Sequence, residues 1–123
     1  MGKDAKSLEG VIIEMQKKND NSIKFENNTL KYLQDIERRL RKSIQGVETI
    51  RFNPFKGNGD GGNQSFASAF INENGDGIIL SSLYSRDRVS IFSKPIKGLS
   101  SEFELSEEEK QILDKTKNSI QEK

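Results

Sequence analysis

The sequence predicts an α+β fold: an N-terminal helical, coiled-coil-like segment, a four-stranded antiparallel β-meander and a short C-terminal helix. Three observations predict it. The chain up to Gly46 is polar, lacks proline and spaces its apolar residues as a helix does. From Val47 the apolar period shortens to two. Ser106-Glu107-Glu108-Glu109 then spells a capping box, with Ile112, Leu113, Thr116 and Ile120 following at helical spacing. The chain divides accordingly into a helical segment, 1–46, and a small antiparallel sheet domain with a C-terminal helix, 47–123.

Within the first segment the second half is the stronger helix. Leu30, Leu33, Ile36, Leu40 and Ile44 recur at spacings of 3, 3, 4 and 4, which places them on one stripe. Asn27 or Asn28 can cap its start, the cations Arg38, Arg39, Arg41 and Lys42 suit its C-terminal dipole, and Gly46 ends it. Leu8, Val11, Ile12 and Met15 form a weaker amphipathic turn or two. Asn19-Asp20-Asn21-Ser22 between them is a poor helical stretch, because these side chains compete for the backbone. Two helices, or one with a frayed middle, are expected.

Strands are expected at Val47–Pro54, Ser65–Asn72, Ile78–Tyr84 and Arg88–Lys94. Their connections are too short for a crossover helix, so neighbours must run antiparallel. Phe66 and Phe70 share one face of the second strand, and Ala67, Ala69 and Ile71 the other, where small side chains let a helix come close. The Leu30–Ile44 helix is the expected cover. The C-terminal helix is expected to fray after about Lys117, as its last turns are polar.

Composition excludes several function classes. Of the 123 residues 32% are hydrophobic and 32% charged, which argues against one core spanning the whole chain. With 20 basic and 19 acidic residues the net charge is +1, so no overall field draws the chain to nucleic acid or an anionic membrane. The chain has no cysteine and no histidine, which excludes disulfides, thiolate nucleophiles, imidazole bases and Cys/His zinc sites. No apolar run approaches the roughly 18–20 residues that span a bilayer. A cytoplasmic location is expected, with membrane association reserved for a longer native form.

Two glycine-rich loops suggest ligands but read better as turns. Gly57-Asn58-Gly59-Asp60-Gly61-Gly62 has backbone N–H groups that could cradle an anion, yet it lacks a P-loop's Gly-Lys-Ser/Thr ending and leads into a strand. Asn72-Glu73-Asn74-Gly75-Asp76-Gly77 imitates the first half of a calcium loop, but Leu83 stands where the bidentate acid belongs. Asn-Gly and Asp-Gly are strong hairpin signals. No metal, cofactor or catalytic residue is expected. The cationic run Arg38–Lys42, flanked by Asp35 and Glu37, reads as a solvated helix face rather than a nucleic-acid site. The polar residues set among the strands are the remaining candidates. Arg51, Asn53, Ser65, Arg86 and Lys94 could converge as a small basic pocket for a carboxylate or phosphate.

The segment Arg51–Lys117 resembles the DUF4446 family, small bacterial proteins of unknown function. The resemblance is carried by Arg51-Phe52-Asn53 with Phe55, Gly61-Gly62 with Gln64-Ser65-Phe66, Asn74-Gly75-Asp76-Gly77 with Leu80-Ser81-Ser82-Leu83, Arg86, Lys94-Pro95-Ile96 and Leu105-Ser106-Glu107-Glu108-Glu109. Pro54 and Asn63 stand where the family pattern has alanine and aspartate. Family members often carry an N-terminal membrane helix before a coiled-coil-like stretch, which implies a tethered cytoplasmic module; this chain shows no such span. The family supplies no catalytic residues. The resulting expectation is a non-catalytic protein-interaction or oligomerisation module, with a protein partner or a second copy bound. The alternative is a small-ligand-binding or enzymatic domain using the polar pocket.

Overall fold

A computed structural model describes residues 2–54, 64–85 and 87–122. The elements run α1 (Gly2–Lys42), β1 (Ile44–Phe52), β2 (Ser65–Asn72), β3 (Gly77–Ser85), β4 (Arg88–Ile96) and α2 (Glu107–Gln121). The fold is α+β, as the sequence predicts. The chain forms two compact units, Met1–Arg38 and Arg39–Lys123.

The first unit is helix alone. α1 runs unbroken through Asn19–Ser22, so the expected weak middle is absorbed into one 41-residue helix. Lysine, glutamate, glutamine and leucine supply enough helix propensity to carry a few poor residues, each costing well under about 1 kcal/mol. The helix also stops earlier than Gly46. Ser43 N–H donates to the carbonyls of Arg39 and Leu40, Ser43 Oγ donates to Arg39 O at 2.8 Å, and Gln45 Nε2 donates to Leu40 O at 2.8 Å. These bonds satisfy carbonyls that the last turn leaves open. Ile44 and Gly46 therefore belong to β1, not to the helical stripe.

In the second unit the four strands form an antiparallel meander in the order β1-β2-β3-β4. The register pairs Ala69 with both Glu48 and Ile79, and Ile79 with Lys94. Alternation then puts Gly46, Ile50, Ala67, Ala69, Ile71, Ile79 and Ile96 on one face. That face is covered by α2, which lies across β1 and β2 and reaches β3. The cover predicted from the Leu30–Ile44 stripe is thus supplied by the C-terminal helix, through Ile112 and Leu113. The small residues Ala67 and Ala69 do permit close approach, and both are fully buried. Leu99, Leu105 and Ile120 close the margins of this core.

Gly46 shows why α2 seats there. A Cβ at Gly46 would lie 2.7 Å from Ile120 Cγ1 and 2.8 Å from Thr116 Cγ2. The bare backbone of β1 is the floor on which the last turns of α2 rest, and this contact keeps the helix ordered to Gln121 rather than fraying at Lys117. Gly46→Ala is expected to cost about 1–2 kcal/mol, because Ile120 can shift but the β-branched Thr116 has little room. Urea unfolding followed by circular dichroism checks this; an unchanged midpoint would mean the helix does not rest on Gly46.

Candidate functional site

The α2-covered face carries a polar cluster centred on Glu109. The capping box places this residue at the third position of α2, where its carboxylate folds back over the helix start. Ser106 N–H donates to Glu109 Oε1 at 2.8 Å and Glu109 N–H to Ser106 Oγ at 3.2 Å. Two strands then reach the same carboxylate. Lys94 Nζ on β4 donates to Oε1 at 2.7 Å, and Ser81 Oγ on β3 donates to Oε2 at 2.8 Å. Lys94 Nζ also donates to the Glu104 carbonyl at 2.7 Å, in the segment leading into α2. Glu109 is 3% exposed, so this is an ion pair inside the fold rather than on its surface.

Burial pushes the Glu109 carboxyl pKa up, but the Lys94 ammonium, the Ser106 backbone N–H and the Ser81 hydroxyl outweigh it, and the net shift is downward from 4.5. A carboxylate held charged and bonded on both oxygens is a weak base and a poor proton donor at neutral pH. Its chemistry is that of a latch between α2 and the sheet.

The sequence-predicted site residues fall in different places. Lys94 is committed to Glu109. Ser65 is buried on the same face but toward the other end of β3, where its Oγ accepts the Tyr84 N–H at 2.9 Å. Arg51 pairs with Phe66, and so lies on the opposite face of the sheet from Ser65, which pairs with Phe52. Asn53 follows the end of β1 and is half-buried. Arg86 and the glycine-rich loop Gly57–Gly62 lie outside the described residues. The structure therefore does not bring Arg51, Ser65 and Lys94 together.

The Asn72–Gly77 segment is a turn that bonds its own oxygens. Asn72 Oδ1 accepts the Asp76 N–H at 2.9 Å, Asp76 Oδ1 accepts the Gly98 N–H at 2.9 Å, and Gly75 adopts φ +85°. The Gly75 carbonyl accepts the Leu99 N–H at 2.8 Å, so the β2–β3 turn is clasped to the turn after β4. Among the described residues no group of three or more acidic side chains could hold a metal ion. In the cationic run, Arg38 bonds Asp35 at 2.6 Å and Arg41 lies 3.8 Å from Glu73. Among the described residues no helix is long and apolar enough to cross a membrane.

The profile of DUF4446, described as a protein of unknown function, matches residues 1–117. The chain belongs to the DUF4446 family. The match takes in α1 as well as the sheet, whereas the sequence resemblance begins at Arg51. No curated protein and no solved structure matches the chain. Family membership thus names the fold unit without naming a reaction.

Sequence reasoning missed the joining of Lys94 to Glu109, although a signal existed. Lys94 lies between Phe92 and Ile96 on the inward side of its strand, and a lysine at an inward position needs an acid. The capping box had already placed Glu109 at the nearest helix start.

Proposed function

We propose that this DUF4446 member is a non-catalytic interaction module that self-associates through α1. One observation carries the reading: α1 gathers its large aliphatic side chains largely on one stripe and leaves them in water. Leu8 is 63% exposed, Ile12 52%, Met15 65% and Leu33 55%. The first unit contains no other element that could cover them. A lone helix gains little stability from propensity, and helices of this kind owe their order to packing of the apolar face. Withdrawing each such side chain from water by half contributes about 1 kcal/mol, a gain made in both copies.

The ligand-pocket alternative draws less support. It needs Arg51, Asn53, Ser65, Arg86 and Lys94 on one surface, while Lys94 is engaged by Glu109 and Arg51 lies across the sheet from Ser65.

Light scattering tests the proposal. The chain is expected to run as a dimer or larger assembly, and the double substitution Met15→Lys, Leu33→Lys is expected to make it monomeric. The urea midpoint of the sheet unit should not move, since neither residue belongs to its core. A wild-type chain that stays monomeric as concentration rises sinks the proposal.

A further inference from the structure

We infer that α1 pairs with α1 of a second copy in the antiparallel sense, with Leu8 of one chain level with Leu40 of the other. The inference rests on the self-association reading and adds orientation and register to it. The stripe follows a heptad pattern in which Ile12, Asn19, Glu26, Leu33 and Leu40 occupy one seam position and Leu8, Met15, Ser22, Thr29 and Ile36 the other. Its two ends are apolar and its middle is polar. In an antiparallel pair, seam positions of one kind meet those of the other kind. With Leu8 against Leu40, Met15 falls against Leu33 and Ser22 against Glu26. Asn19 and Thr29 meet likewise.

Every apolar layer then meets an apolar one, and every polar layer a polar one. Sliding the pair by one heptad destroys this match. A slide in one direction sets Glu26 against Met15, and in the other it sets Leu33 against Ser22. Each places a polar or charged group against hydrocarbon without a partner. Register is therefore specified by the sequence of α1 itself.

A parallel, in-register pair also matches apolar layers, but charge counts against it. It places the two Glu26 carboxylates in one layer, where like charges repel. Antiparallel pairing gives each Glu26 the hydroxyl of Ser22 instead, a donor to a carboxylate. A parallel pair also sets two basic ends side by side, each with Arg38, Arg39, Arg41 and Lys42 against the acids Asp35, Glu37 and, 3.8 Å from Arg41, Glu73. Antiparallel pairing separates these ends by nearly the length of the helix. It sets Glu9 near Glu37 at each rim, but both are solvent-exposed, and exposed charge pairs contribute little. Phe25, the most exposed of the large apolar side chains on α1 at 71%, meets its own counterpart beside the two-fold axis.

The chain has no cysteine, so one spin label can be placed cleanly. Gly10 lies off the seam, and a side chain built there meets nothing within 4 Å. A nitroxide on Gly10→Cys is measured by pulsed dipolar spectroscopy, with light scattering on the same sample. In the antiparallel pair Gly10 is level with Arg38 of the second copy, an axial offset of about 42 Å. In the parallel pair the offset vanishes and the labels stand about 20–30 Å apart across two helix diameters. A dimer with the long distance supports the inference. A dimer with the short distance, or with both, overturns the orientation and leaves self-association standing. A monomer overturns both.

Discussion

Gly77→Ala is expected to be the most damaging single methyl that can be added at a described glycine of the sheet unit. A Cβ at Gly77 would overlap the Phe70 carbonyl oxygen and lie 3.0 Å from Ile71 Cα. Both are backbone atoms of β2, so no rotamer change relieves the overlap. The β2 and β3 backbones must instead part where Ile71 pairs with Gly77 and Phe70 with Ile78. This breaks ladder bonds beside Ile71 and Ile79, two of the largest fully buried side chains. The expected cost is about 3 kcal/mol or more, beyond ordinary overpacking. Urea unfolding measures it directly. A loss below about 1 kcal/mol would mean that the hairpin accommodates the methyl and that the approach at Gly77 does not matter.

The second large effect is expected at Glu109. Glu109→Gln keeps the shape of the capping box and leaves an amide oxygen for Ser106 N–H and Lys94 Nζ, but removes the charge that balances Lys94, which is 19% exposed. A cost of about 2–3 kcal/mol at neutral pH follows from leaving a largely buried ammonium without its counter-charge. The acid limb gives the sign. Glu109 in the folded chain titrates below its ordinary value of 4.5. Its contribution to stability is therefore complete above 4.5 and is lost as the pH falls through the folded value. The gap between wild type and Glu109→Gln should be level above 4.5 and narrow below it. A gap that stays constant down to about pH 3 would show that the carboxylate's charge does not dock α2. Lys94→Met tests the same pair from the other side. With the ammonium gone, burial has less opposition, so the acid limb is expected to move to higher pH.

Much of the sheet unit is legible in the sequence because its signals are local. Each strand is bounded by turn residues, and Ser106 with Glu109 announces α2 before any contact is known. Ala67 and Ala69 even show that a helix must come close. Which helix does so is not local. Both α1 and α2 carry apolar stripes, and the choice is made by Gly46 opening a floor for Thr116 and Ile120, far away in sequence. The polar site fails for a similar reason. Arg51 and Ser65 belong to strands separated by a long connection, and only their register shows that Arg51 faces with Phe66 while Ser65 faces with Phe52. Lys94 and Glu109 are 15 residues apart, on different kinds of element. The capping box reveals what Glu109 does for its own helix but not what β3 and β4 ask of it.

The covering of the sheet by α2 also bears on how the chain is made. Synthesis delivers all four strands before the helix that shields them. A nascent chain that has emerged only through β4 presents Ala67, Ala69, Ile71 and Ile79 as a bare apolar plane, with Lys94 still lacking its acid. The β1–α2 contact between Gly46 and Ile120 closes nearly the entire length of the sheet unit. Non-local closure of this kind comes late. The unit thus commits to its fold only when the final turns of α2 leave the ribosome, and until then the strands are the part of the molecule that most needs protection from one another.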